Sequence, residues 1–247
     1  MSDAIHTLAH GETITERRHA ALELGTTHAE GVVDALVARL RDEPDGHVRE
    51  DITWALVQHA DEAEPQLLAL LTSDRPHDRF SGAHVLSKIG DPAHFDAVAP
   101  LVGDAHADVA LKAYRAAANT GGAGAADVLA TRLGDGDGWQ RDALSDAFRT
   151  LGEAGVPALV AALESDDVDV RDHAVEALGY VGEDAAGAVD VVEAHVHDEH
   201  EPVRLTAVSA LGQLGEAAVP ALRRVAEGED PVLATVARRF LDRPAGA

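Results

Sequence analysis

One period governs the whole chain. The segments VRDHAVEALGYVG (170–182) and VRLTAVSALGQLG (203–215) carry valine, arginine, alanine, alanine-leucine-glycine and a closing glycine at identical offsets. Four weaker copies align with them without gaps: VREDITWALVQHA from Val48, DRFSGAHVLSKIG from Asp78, VALKAYRAAANTG from Val109 and QRDALSDAFRTLG from Gln140. Degenerate copies, ERRHAALELG from Glu16 and VLATVARRFL from Val232, flank the set. The eight first positions (16, 48, 78, 109, 140, 170, 203 and 232) stand 29 to 33 residues apart. A fixed period in this range specifies a repeat architecture before any other feature is weighed.

Within each copy apolar residues recur at offsets 0, 4, 7 or 8, and 11, the spacing of one face of a 3.6-residue helix. A second apolar-periodic stretch precedes each copy: VVDALVARL (32–40), PQLLALL (65–71), FDAVAPLV (95–102), AADVLATRL (125–133), VPALVAAL (156–163), AVDVVEAHV (188–196) and VPALRRVA (219–226), with residues 3–9 serving the first. The joining segments, such as ESDDVD, HDEHEP and EGEDP, hold the residues that start turns and accept hydrogen bonds at helix beginnings. The unit is therefore an antiparallel helix pair. A pair of ~31 residues cannot bury its own apolar face and must stack on its neighbours. The expected fold is all-α, an α-solenoid (α-α superhelix) of about eight pairs and sixteen helices, with the terminal units least regular. The expected organisation is a single repeat domain over residues 1–247, its units beginning near 1, 28, 62, 91, 122, 153, 184 and 216.

Composition narrows the chemistry. With no cysteine there is no disulfide framework, thiolate metal site or cysteine nucleophile. The 44 acidic residues against 20 basic ones give a net charge of -24, spread over every segment, and only Lys88 and Lys112 are lysines. Such a surface repels itself at low ionic strength and is screened within ~3 Å at 1 M salt, which points to a salt-accumulating, halophilic cytoplasm. It also opposes a polyanion, so no nucleic-acid partner is expected. The first twenty residues lack a basic region followed by an apolar one, and no stretch approaches the ~20 apolar residues of a membrane span, so a cytoplasmic location without a membrane partner is expected.

The pattern D-x-x-V-R-x-x-A-x-x-A-L-G-x-L-G, preceded by a VPALVAAL-type helix, resembles the short HEAT repeats known as phycobilisome-lyase HEAT-like repeats, over essentially all of residues 3–241. The resemblance implies an armadillo-type helical superhelix. It leaves three functions open: a non-enzymatic scaffold or adaptor for a protein or peptide, a lyase-like protein that cradles a tetrapyrrole cofactor, and a metal-dependent oxidoreductase like deoxyhypusine hydroxylase. The hydroxylase family holds two irons on His-Glu dyads at repeated helical positions. At those offsets this chain has Arg18-His19, Glu50-Asp51, Phe80-Ser81, Leu111-Lys112, Asp142-Ala143, Asp172-His173, Leu205-Thr206 and Ala234-Thr235, none of them His-Glu. The scaffold is thus the leading expectation, with no catalytic residue, metal ligand or cofactor assigned.

Three features invite a site reading. Arginine follows the first position in six copies (Arg17, Arg49, Arg79, Arg141, Arg171 and Arg204), and its fixed offset predicts repeat-to-repeat ion pairs with loop acids such as Asp45, Asp78, Asp137 and Asp169 rather than a phosphate-binding row. HVHDEHE (195–201) offers imidazoles and carboxylates for a metal, although a solvated turn is the simpler expectation. The third is a stripe. Offsets 2, 3 and 6 point away from the apolar set, and in the second to fourth copies they hold Trp54, Phe80, His84, Lys112 and Arg115, with Tyr114 beside them at offset 5. With eight aromatic residues in the chain, this aromatic and cationic strip is the expected partner-binding site on the concave side.

Overall fold

The computed structural model describes residues 2–242. Sixteen α-helices in eight consecutive pairs, joined by short 3-10 turns, make up the described residues, which contain no strand. The pairs are α1 (Ser2–His10) with α2 (Ile14–Leu24), α3 (Val32–Leu40) with α4 (Gly46–Gln58), α5 (Ala60–Leu71) with α6 (Pro76–Ile89), and α7 (Phe95–Val98) with α8 (Ala107–Gly121). They continue as α9 (Ala123–Ala130) with α10 (Gly138–Leu151), α11 (Val156–Ala162) with α12 (Val168–Val181), α13 (Val189–Ala194) with α14 (Glu201–Leu211), and α15 (Val219–Ala226) with α16 (Pro231–Leu241). The fold is an all-α solenoid of helix pairs. The pairs group into two compact units, residues 1–120 and 121–247.

Local chemistry sets the helix ends. Thr13 and Asp137 form capping boxes with Glu16 and Gln140, while Asp45, Asp167 and Asp230 accept amide hydrogens at the starts of α4, α12 and α16. The closing glycine of the repeat has positive φ at Gly90, Gly152, Gly182 and Gly215, a region that strains any residue with a Cβ. With the eighth copy counted from Leu233, offset 4 is small in six of the eight copies, with Ile52 and Leu144 filling it in the second and fifth. Ala20, Ala113, Ala174 and Ala207 are buried there, and a Cβ at Gly82 would lie 3.0 Å from the Leu70 Cβ. The arrangement works because neighbouring backbones can approach only where the side chain between them is short.

Three expectations need correction. The eighth copy begins at Leu233, not Val232. In other copies the first position is the third residue after the cap, and Asp230 caps α16, which leaves Val232 54% exposed and buries Leu233 and Ala237. The helix of the PQLLALL stretch starts five residues earlier, at Ala60, and takes Pro65 into its interior. The least regular helix is internal rather than terminal: α7 has four residues, because Pro92 begins a preceding 3-10 turn and Pro100, lacking an N–H, ends the α ladder just beyond Val98.

Candidate functional site: the second-helix face of residues 1–120

The second helices α4, α6 and α8 bring most of the predicted stripe together. Trp54 of α4 is 41% exposed, its ring lying against the position of Gly25 just beyond α2. On α6, one turn apart, the rings of Phe80 and His84 stack with centroids 6.3 Å apart. From α8 the Lys112 ammonium stands 4.9 Å over the centroid of the Phe80 ring, a cation–π contact. From the other side, Glu50 of α4 meets Nε2 of His84 at 2.8 Å. Arg115 and Lys88 are exposed nearby in the same repeats. The cluster therefore links three repeats through one half-buried aromatic ring.

Its electrostatics follow from partial burial. Burial and the Lys112 charge push His84 below the ordinary imidazole range against the opposing pull of Glu50, so the ring is neutral at pH 7. Burial also lowers Lys112, reinforced by Arg115 and Lys88 and resisted by Glu50. Phe80 also lines a cavity of about 280 Å³, whose walls include Arg49, His77, His106 and Val109.

Tyr114 does not belong to this surface. It is 2% exposed, in the core of α8 beside Ala110, Ala113, Ala117 and Ala118. A repeat helix is flanked by neighbours on both sides as well as by its own partner, so its buried arc is wider than the single stripe of a surface helix and takes in offsets 1 and 5. Glu50, the acid that completes the cluster, escaped the sequence reading. A carboxylate at offset 2 opposite a histidine at offset 6 of the next copy was its available signal. Trp139, 75% exposed at the start of α10, was also missed, since it sits at offset -1 of its copy, outside the helical register.

The arginine row is structural, with different partners from those expected. Five residues before the first position of each copy stands one loop residue: Gly11, Glu43, Ser73, Asp104, Asp135, Ser165, Asp198 and, in the corrected register, Gly228. Its carbonyl accepts from Nη1 of its own copy's arginine in Arg17–Gly11 (3.1 Å), Arg49–Glu43 (2.9 Å), Arg79–Ser73 (2.8 Å), Arg171–Ser165 (2.8 Å) and Arg204–Asp198 (2.9 Å). Its carboxylate takes Nε and Nη2 of the preceding copy's arginine: Glu43 on Arg17, Asp104 on Arg79 and Asp198 on Arg171, with Nε–O distances of 2.9, 2.7 and 3.0 Å. Asp45 and Asp137 are helix caps instead, and Asp78 pairs with Arg41 at 2.7 Å. Asp169 has no arginine partner among the described residues. Burial alone would raise Glu43, but Arg17, the Asp45 amide and Arg39 together hold its carboxyl below the usual range.

Residues 121–247 carry a different second-helix face. Asp172 accepts from Arg141 (3.0 Å) and Thr206 (2.7 Å), and the Tyr180 hydroxyl donates to Asp142 (3.1 Å). Burial raises Glu176, aided by Asp172 and Asp142 and opposed by Arg141. In the histidine-rich turn, His195 bonds the Val191 and Leu163 carbonyls and His200 joins Asp198 and Arg171, so both serve the repeat junction. Among the described residues no group of three or more histidine and acidic side chains is arranged to hold a metal ion.

With helix pairs, a repeated arginine rung and small residues at offset 4 in hand, the family-model comparison is decisive: the model described as HEAT repeats matches residues 3–87, 64–149 and 156–242. The chain belongs to the HEAT-repeat family. Among solved structures, Kap95p in a complex with RanGDP has a TM-score of 0.61 at 11% identity, covering 97% of this chain and 40% of that one. The archaeal HEAT-like repeats protein from Thermococcus onnurineus NA1 has 0.51 at 14% identity, covering 85% and 95%. CpcE and CpcF of phycocyanin lyase from Nostoc sp. PCC7120 have 0.45 at 21% identity, covering 89% and 91%. A search of curated proteins finds no match. The first two likenesses support the repeat fold, and at such identities they establish nothing of its chemistry. Among the described residues no helix is long and apolar enough to cross a membrane.

Proposed function

We propose that this HEAT-repeat protein is a non-enzymatic scaffold or adaptor, working in concentrated salt, that binds a protein or peptide partner on the concave side lined by α4, α6 and α8. The observation that supports this reading is the cluster in which Lys112, with Arg115 and Lys88 nearby, stands over the Phe80 ring, on second helices next to the one that exposes Trp54, in a chain whose net charge is -24. Both lysines of the sequence stand in this cluster. An aromatic anchor ringed by cations suits an acidic, amphipathic segment, which supplies an apolar side chain for the rings and carboxylates for the ammonium and guanidinium groups. The repeat register runs through residues 1–120 and 121–247 alike, and we read the two units as one repeat domain.

The test is affinity capture in multimolar salt followed by mass spectrometry, comparing the wild type with Trp54→Ala/Phe80→Ala. A protein enriched on the wild type should be lost from the double variant at unchanged far-UV helicity, since aromatic anchors typically carry ~2 kcal/mol or more each. Equal capture by both would refute the site. A coloured preparation would instead favour a tetrapyrrole-handling protein.

A further inference from the structure

The arginine rungs follow one rule along the chain, and two arginines with the same carbonyl frame, Arg49 and Arg204, stand where the next copy's loop position, Ser73 or Gly228, offers no carboxylate; only at Arg204 is the side chain there missing altogether. Wherever the loop position of the next copy is Glu43, Asp104 or Asp198, the preceding arginine receives a carboxylate on its Nε and Nη2 edge. Arg204 has the same frame, with Nη1 donating to the Asp198 carbonyl (2.9 Å) and the Glu199 carbonyl (3.1 Å). The next copy offers Gly228 at that loop position, and no carboxylate among the described residues meets the Arg204 guanidinium. A Cβ built at Gly228 would lie 3.2 Å from the Val225 carbonyl at the end of α15 and would have no side-chain atom among its nearest neighbours, so the position is bounded by backbone and lacks the carboxylate that Glu43, Asp104 and Asp198 supply. Arg204 and Gly228 line a cavity of about 640 Å³ together with Val196, Val225 and Leu233.

We propose that this cavity binds a carboxylate carried on an apolar body, the carboxylate seated on the Nε and Nη2 edge of Arg204 as Glu43, Asp104 and Asp198 are seated on their arginines. Three copies of the same arginine show that this edge, once Nη1 is anchored on the loop carbonyl, presents two parallel donors that match a carboxylate. The valine and leucine side chains receive the remainder of the ligand. The acids around the cavity set its charge limit. Glu193 is neutralised by Arg224 (2.6 Å), Asp198 by Arg171, and Asp230 is held by the Val232 and Leu233 amides at the start of α16. Glu229 is left without a cationic partner among the described residues, and it repels a second negative charge on the ligand. The site therefore selects a singly charged carboxylate over phosphate or a dicarboxylate. Two sources carry this chemistry, the C-terminus of a peptide ending in an aliphatic residue and a free aliphatic acid.

The experiment is calorimetric titration, in the salt that keeps the protein folded, with octanoate, with N-acetyl-Ala-Val-Leu bearing a free C-terminus, and with the same peptide as its C-terminal amide. At least one of the two carboxylates should bind one-to-one at millimolar concentration or better, and the amide at least tenfold more weakly. Octanoate binding alone identifies a free acid, and binding of the peptide acid identifies a C-terminus. Arg204→Gln should lose at least tenfold in affinity. Because that change also removes two carbonyl bonds, Gly228→Asp is the second variant: it keeps every Arg204 contact, supplies an internal carboxylate, and should both block the probe and raise the melting temperature. Absence of binding by either carboxylate, equal binding of the amide, or unchanged binding in Gly228→Asp would overturn the assignment.

Discussion

Replacing Asp198 by asparagine tests the rung directly, because the side chain keeps its shape and loses only its charge. Asp198 is almost fully buried and accepts from Arg171 Nε (3.0 Å), from Arg171 Nη2 (3.3 Å) and from the His200 amide (2.8 Å). Burial alone would raise its carboxyl, but Arg171 and the His200 amide and ring hold it down at about 2, against an ordinary 3.8. A folded value depressed to that degree is worth ~2 kcal/mol, fully present above the unfolded value and lost as pH falls from about 4 toward 2. At neutral pH the variant forfeits this contribution and strands the Arg171 guanidinium without its anion, for a combined cost of ~2–4 kcal/mol. For a chain of this size the melting temperature should fall by roughly 5–15 °C, read by far-UV circular dichroism in molar salt. The control is Asp135→Asn, at the same loop position two copies earlier. Asp135 meets only Arg132 (3.2 Å) with its side chain 52% exposed, so its loss should cost no more than ~0.5 kcal/mol. If the two variants melt together, the rung contributes nothing and its repetition has another cause.

Other expectations follow from the same structure. Ala174→Leu should destabilise by ~1–3 kcal/mol in chemical denaturation, because Ala174 is fully buried at the close-packed offset 4, and a neutral shift would contradict that packing. His173, driven down to about 4 by burial and the Arg141 charge, accepts the Gly134 amide on Nδ1 (3.1 Å) and reaches the Arg141 carbonyl from Nε2 (3.1 Å). The unfolded chain binds this proton first, so stability should be full above pH ~6.5 and fall as pH drops toward 4, a slope that His173→Gln should flatten. The melting temperature should also climb steeply from low to molar salt as the dispersed carboxylates are screened, and full stability in salt-free neutral buffer would refute that reading of the surface.

The helix pairs were legible because period and face are properties of apolar spacing, which survives divergence between copies. The terminal register was not, since Val232 and Leu233 are both apolar and only the cap at Asp230 decides between them. The four-residue α7 was equally hidden. Its apolar pattern is helical, and the break comes from the missing N–H of Pro100. In the candidate site, exposure of Trp54 follows from its offset, whereas burial of Tyr114 follows from neighbours on both flanks of α8, which a single-helix projection omits. The rung partners required knowing which loop residue of the next copy comes opposite each arginine, a distance of 25 to 27 residues in sequence.

The proposed docking face lies around Trp54, and the two tryptophans allow partner contact to be measured site by site. A photo-crosslinking amino acid placed at position 54 reports what touches that face, and the same group at position 139 controls for exposure alone, since Trp139 is the more exposed of the two (75% against 41%). Irradiation of cells expressing each variant should give a discrete adduct of one protein at position 54, suppressed by Phe80→Ala, and none of that protein at position 139. No adduct at position 54, or the same adduct at both positions, would contradict the account.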